Sequence, residues 1–314
     1  MDYPKSVPGV GLVDGKFANE DKAIPRAGSI IPAEWGNAVT DEIRSVLLDA
    51  GIEPDEANNA QLLLAIKVVS LRQSVAVVGQ SRNAAMYVRE AANTAKFTAD
   101  EIVLGSQLGG LSYRIANISD TFDLATDMDT GAAPVSGFVG LYRLYNPTTK
   151  AALRRIVNAT AAVLPEIYSG APAPQGFTAS ALVGVVPTNA AGQFAPFNLT
   201  GRTVSIPRRQ SISTAVVSPG YSSVKIADIP KNAKWIGGFL GVSNNTANAS
   251  FGFWVGSDAN GSGETWCSGI LPQPGVGSTT AFGCAVVSPQ TLFYTSTSSG
   301  GTVSQNIFTT SYRF

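Results

Sequence analysis

The chain has 314 residues, with 22 Lys and Arg against 22 Asp and Glu and no histidine, so it carries no formal net charge and lacks the commonest general base and metal ligand. Histidine-assisted serine or cysteine nucleophiles are excluded, two cysteines cannot build a four-ligand zinc site, and no overall field draws in nucleic acid or an anionic membrane. No catalytic residues, metal or cofactor are expected.

Charged residues make up only 14% of the chain, and the polar surface they leave is largely Ser, Thr and Asn, so partners must be recognised by shape. The charges are uneven. From Ala171 onward there are three acids (Asp228, Asp258, Glu264) and seven bases, which suggests two regions with different tasks. No apolar run approaches the roughly 18 residues of a membrane helix, and residues 1–6 lead into no signal-peptide core, so neither membrane insertion nor general export is expected. Cys267 and Cys284 read as small buried apolar groups or, as the alternative, a bridge.

Residues 1–28 are rich in Gly and Pro and read as an extended arm that needs a partner. Pro32 opens a helical pattern through Trp35, Val39, Ile43, Val46 and Leu47 that Gly51 stops. A second helix is expected after Glu53-Pro54-Asp55-Glu56. Leu64, Val68, Leu71, Val75 and Val78 then step by four and three, a heptad seam that continues in a shifted, alanine-lined frame through Ala84, Val88, Ala91, Ala95, Thr98 and Ile102. Gly105, Gly109 and Gly110 predict a hinge, after which Leu111, Ile115, Ile118 and Phe122 resume the spacing. So long and narrow a seam predicts association between identical chains; the alternative is a buried helix pair within one subunit.

Asp127-Met128-Asp129-Thr130-Gly131 reads as a turn, without the distal glutamate of a calcium loop. Phe138 to Tyr145 is strand-like, and Asn146-Pro147 should open a helix with Leu153, Ile156, Val157, Ala161 and Leu164 on one face. From Gly170 the chain changes to short Val-, Ile-, Thr- and aromatic-rich segments between Gly, Pro and Asn: 181–186, 202–206, 222–226, 235–242, 251–255, 281–287, 290–295 and 305–310. Their spacing suits a sandwich or jelly roll.

Residues Met1 to Phe17 (MDYPKSVPGVGLVDGKF) and Ile31 to Glu42 (IPAEWGNAVTDE) resemble the start of tail fibre proteins of Mu-like phages and prophages, notably those of Pseudomonas. The likeness covers roughly the first 70 residues, with a weaker echo in Ala181 to Phe194 (ALVGVVPTNAAGQF). It implies an amino-terminal part that docks on phage baseplate proteins, with Tyr3, Pro4 and Trp35 in the matching segments, three intertwined chains, and a carboxy-terminal part that binds a host surface receptor such as a pilus or lipopolysaccharide. The place implied is the virion tail, after assembly in the host cytoplasm.

The fold class expected is therefore α+β: a helical N-terminal attachment region and trimeric coiled coil followed by a C-terminal all-β domain. The expected division is 1–63 attachment arm and helix, 64–126 coiled-coil shaft, 127–170 small α/β connector and 171–314 receptor-binding region. Closing three copies around one axis would also remove exposed strand edges. Within the last region, Trp254, Trp266, Phe282, Phe293 and Tyr294 surround a turn-rich stretch, and Trp254, Asp258, Asn260, Glu264 and Trp266 are the candidate receptor-binding residues. Loops 244–250, 257–266 and 271–279 are expected to form the distal face. Two alternatives stand beside this reading: a polysaccharide-cleaving tailspike that uses Asp258 and Glu264 as paired carboxylates, and a purely structural baseplate component.

Overall fold

The structure is a computed structural model that describes residues 4–23, 27–72, 76–170 and 173–314. It divides into two units, Met1–Val75 and Ala76–Phe314.

In the first unit, residues 4–23 and 27–30 are loop pinned to itself: Ile30 N donates to Val10 O at 2.9 Å and Ser29 N to Ala18 O at 2.9 Å. Helix α1 runs Ala33–Asp49 from an extended Pro32. Gly51, at φ 73°, ends it, with Gly51 N on Leu48 O and Ile52 N on Leu47 O, both 2.9 Å. Those two bonds are a Schellman closure, and Ile52 packs against the Leu47 cluster as such a closure favours. Helix α2 runs Gln61–Arg72. The core of this unit is small, centred on Leu47, Ala50 and Ala65. Tyr3 lies outside the described residues, Pro4 is buried, and half-buried Trp35 meets Phe17 edge-on at 5.1 Å.

The second unit corrects the expected fold class, because its described residues form sixteen strands, antiparallel where they pair, and no trimeric coiled coil. The expected helical N-terminal region reduces to the two short helices of the first unit. In α2 the inward residues are Gln61, Ala65, Val68 and Val69, so Leu64 points out at 51% exposure and shares no buried stripe with Val68. Val75 and the Leu71 side chain lie outside what the structure describes. Val78 and Leu111 lie in loops, and Ile115, Ile118 and Phe122 are strand residues, the last two buried in the chain's own core.

The strands run β1 Ser81–Arg82, β2 Ala85–Val88, β3 Thr94–Gly105, β4 Ser112–Asp123, β5 Phe138–Tyr145, β6 Ala152–Asn158, β7 Ala179–Pro187 and β8 Phe197–Thr200. They continue as β9 Thr203–Thr214, β10 Ser222–Lys225, β11 Trp235–Asn244, β12 Ser250–Gly256, β13 Thr265–Ile270, β14 Gly277–Ala285, β15 Thr291–Ser298 and β16 Val303–Arg313. Twelve form one sheet in the order β14-β11-β16-β9-β8-β2-β3-β7-β5-β6, with β1 and β4 also paired to β3; the other four form β10-β15-β12-β13. The glycines read as a hinge close the β3–β4 hairpin, where Ser106 N donates to Leu111 O. The helix expected after Pro147 is strand β6, paired with β5 from Val139↔Asn158 to Tyr145↔Ala152.

Strand β5 is buried along its whole length and β7 along all but its last residue. Segment 161–168 covers one face: Leu164 sits on Gly140, both Leu164 backbone groups are held by the Asn232 side chain, and Tyr142 Oη donates to Pro165 O. On the other face Arg143 pairs with Asp120 of β4, and both are about nine-tenths buried. In the C-terminal part, β11 and β14 pack on β12 and β13 as a sandwich, with Leu240, Phe253, Val255, Cys267 and Cys284 in the core cluster. Both cysteines are free and buried.

Removing one member of a buried ion pair strands the other charge away from water. Asp120→Ala should therefore lower the stability of the second unit by roughly 3–5 kcal/mol in denaturant unfolding. A loss under about 1 kcal/mol, the scale of a surface pair, would show that the pair does not hold β4 to β5.

Candidate functional site: a tryptophan platform on the four-stranded sheet

Strand pleating places directly opposed residues on one side of a sheet. Trp254 on β12 is opposite Trp266 on β13 and opposite Thr295 on β15. Their neighbours Phe253, Val255, Cys267 and Ser296 are buried, so the two tryptophans share the side facing away from the sandwich core. The Trp254 indole lies along its own strand over Gly252, where an added Cβ would collide with the ring. Glycine thus supplies the floor that lets the ring lie flat. Trp266 is 54% exposed, and the rim beside it carries Ser268, Thr295 and Thr297, all uncharged.

At the edge strands β13 and β14, Glu264, Thr265, Trp266, Ser268 and Thr280 line an open pocket of about 490 Å³. The β12–β13 loop forms its wall. Asp258 Oδ1 accepts from Asn260 N at 2.9 Å and Ser262 N at 3.1 Å, and Ser257 N donates to Ser262 O at 3.0 Å. Gly261 and Gly263 both take positive φ there, as this tight turn requires. The Ser262 hydroxyl, then the loop amides, hold the Asp258 carboxyl below the usual carboxylate range. Tyr221 rests against Gly261 and donates its phenol proton to Glu264 Oε2. Burial first, and then that hydrogen bond to a carboxylate, push the Tyr221 hydroxyl up to about 12.

Of the candidate receptor-binding residues, Trp254, Trp266 and Glu264 converge on this region. Asp258 turns its carboxylate into its own loop, and Asn260 stands exposed at the loop tip. Phe282 is a core residue, Tyr294 packs on Phe253 at 5.9 Å, and Phe293 is half-buried. Tyr221 is the residue of this candidate site that the sequence does not reveal: it stands 43 positions from Glu264, and no local spacing links the two.

No protein-family model matches the chain, and no curated protein matches it. Among solved structures the chain is similar to the infectious bursal disease virus Gx strain structure at 10% identity, over 74% of this chain and 67% of that one, with a TM-score of 0.21. It is also similar to tripeptidyl peptidase 2 at 12% identity, over 76% of this chain and 19% of that one, with a TM-score of 0.18. Both scores fall below the level that marks a shared fold.

The Tyr221–Glu264 bond has a signed pH dependence. The folded phenol lies above its ordinary 10.0, so its contribution is complete below pH 10 and disappears as pH rises through about 12. In a difference titration at 295 nm between the native chain and Tyr221→Phe, the missing phenol should ionise near 12, and the variant should be cut faster by protease within 257–264. A missing phenol that ionises near 10, with unchanged cleavage, would show that Tyr221 does not pin the loop.

Proposed function

We propose that the chain is a receptor-binding tail fibre of a bacteriophage, carried on the virion tail as a homotrimer. Its first unit attaches to baseplate proteins, and its C-terminal sandwich binds a host surface receptor, a pilus or lipopolysaccharide. The observation that carries this reading is the pair of opposed tryptophans, one laid flat over glycine and the other more than half exposed, beside a locked polar loop. Rigid aromatic groups with adaptable hydroxyls around them give binding energy at little entropic cost.

The first unit supports the attachment role. It buries little and exposes Leu62, Leu63, Leu64 and Ile66 on α2, more apolar surface than scattered single residues would leave. Baseplate proteins and sister chains are the partners proposed to cover it, through helix faces and without a heptad seam. A cleaving role finds less support: the Asp258 carboxylate is engaged by its own loop and Glu264 by Tyr221. The chain is therefore proposed to bind without catalysis.

Trp266→Ala should cut adsorption of phage, or of the isolated chain, to host cells by tenfold or more, the loss expected of a central aromatic anchor, with folding and oligomeric mass unchanged. Normal adsorption by this variant would remove the platform from receptor binding.

A further inference from the structure

A second aromatic surface lies on the opposite side of the sandwich. Along β11, Trp235, Gly237, Phe239 and Gly241 alternate with Ile236, Leu240 and Val242, which are buried, so the first set faces outward. The Trp235 indole lies across Gly237 and across Gly283 of β14, and a Cβ at either position would meet the ring. Phe308 of β16 is opposite Phe239, and its ring lies against Gly241. Phe239 is 43% exposed. The result is a flat ribbon of three aromatic side chains on a glycine floor.

Each end of the ribbon carries an arginine over a ring. The Arg313 guanidinium stands 5.5 Å from the Trp235 centroid, and that of Arg208 stands 5.4 Å from the Phe308 centroid. Stacking in this way leaves the guanidinium N–H edge free for a planar anion. Strands β9, β11, β14 and β16 contain no Asp or Glu. Among the described residues neither Arg208 nor Arg313 is in an ion pair. The third arginine of these strands, Arg209, lines a separate cleft with Asp228.

We infer that this face binds an acidic saccharide, a chain of sugar rings that bear carboxylate or phosphate groups. Flat rings offer an apolar surface to sugar C–H faces, and guanidinium edges offer bidentate hydrogen bonds to the acid groups. Nucleic acid fits less well. Its affinity comes from neutralising many phosphates, and this face has two cations on a molecule with no net charge. The site is separate from the Trp254–Trp266 platform and stands whether or not that platform adsorbs to a host.

The test uses the full chain at low salt, titrated by calorimetry with polygalacturonate, neutral dextran and single-stranded DNA. Polygalacturonate should bind, dextran should bind at least tenfold more weakly, and DNA should not compete. The double variant Arg208→Gln/Arg313→Gln should lose tenfold or more in affinity, Phe239→Ser should lose severalfold, and Trp266→Ala should bind as the native chain does, with circular dichroism confirming that each variant is folded. Absence of polygalacturonate binding, native affinity in the folded double variant, equal dextran binding, tighter DNA binding, or loss through Trp266→Ala would each overturn the assignment.

Discussion

Strands β5 and β7 are covered on both faces, and the second unit is organised around that constraint. A strand buried on both sides cannot send polar side chains to water, so its polar groups look inward for partners, and among the described residues Arg143 Nε is buried without one. Arg143 meets Asp120, Tyr142 donates to Pro165 O, and Ser180 Oγ accepts from Tyr168 N. Each partner comes from a segment that has to lie across the sheet: β4 on one side, and residues 161–168 on the other. Tyr312, fully buried, donates to Val185 O and so ties the last strand to the same centre. The C-terminal sandwich is an extension of this large sheet, because β9, β16, β11 and β14 continue its strand order.

That coverage also explains what could be read in the sequence and what could not. Eight of the ten strands after residue 178 are legible because Gly, Pro and Asn punctuate them and Val, Ile, Thr and aromatics fill them, whereas β8 and β13 fall outside the expected segments. Strand β4 was misread for a local reason. Ile118, Asp120 and Phe122 turn inward with a period of two, whereas Tyr113 and Ile115 lie in the other phase; the change falls at Asn117, which takes φ 56°. A strand whose phase flips once yields spacings of three and four, the signature of a heptad. In β2 and β3, Met86 and Phe97 are buried together with Ala84, Val88, Ala95 and Ala99, and both fall outside the helical frame that alanines suggested. At β6 the cap-like Asn146-Pro147 and the spacing of Leu153, Ile156 and Val157 read as a helix, whereas the segment pairs with β5 from Ala152 to Asn158 and Asp127 holds Arg154 across 27 positions.

The tryptophan pair was legible as residue types and illegible as geometry. Aromatics beside a Gly- and Ser-rich loop mark a surface, but only strand register shows that Trp254 and Trp266 stand directly opposite one another. The same holds for the glycines. Gly252 beneath Trp254, and Gly237 and Gly283 beneath Trp235, serve one purpose, since a missing Cβ opens the space in which an indole can lie parallel to the sheet. Within a strand, glycine weakens local pairing and packs nothing of its own. Two tryptophans are held in this way, one on each outer face of the sandwich.

The two aromatic faces differ in charge, and that difference separates their physics. The Trp254–Trp266 face has a rim of hydroxyls with one carboxylate, Glu264, at its edge and bonded to Tyr221, so contact on the rings themselves depends on shape and on displaced water. The Trp235–Phe308 face carries Arg208 and Arg313 with no carboxylate on its strands, and attraction between exposed charges weakens once separations exceed a Debye length of about 8 Å at physiological ionic strength. With 14% of its residues charged, the chain has little other field to blur this contrast. The same glycine-floored aromatic construction thus recurs on both sides of one sandwich, with arginines over the rings on one of them.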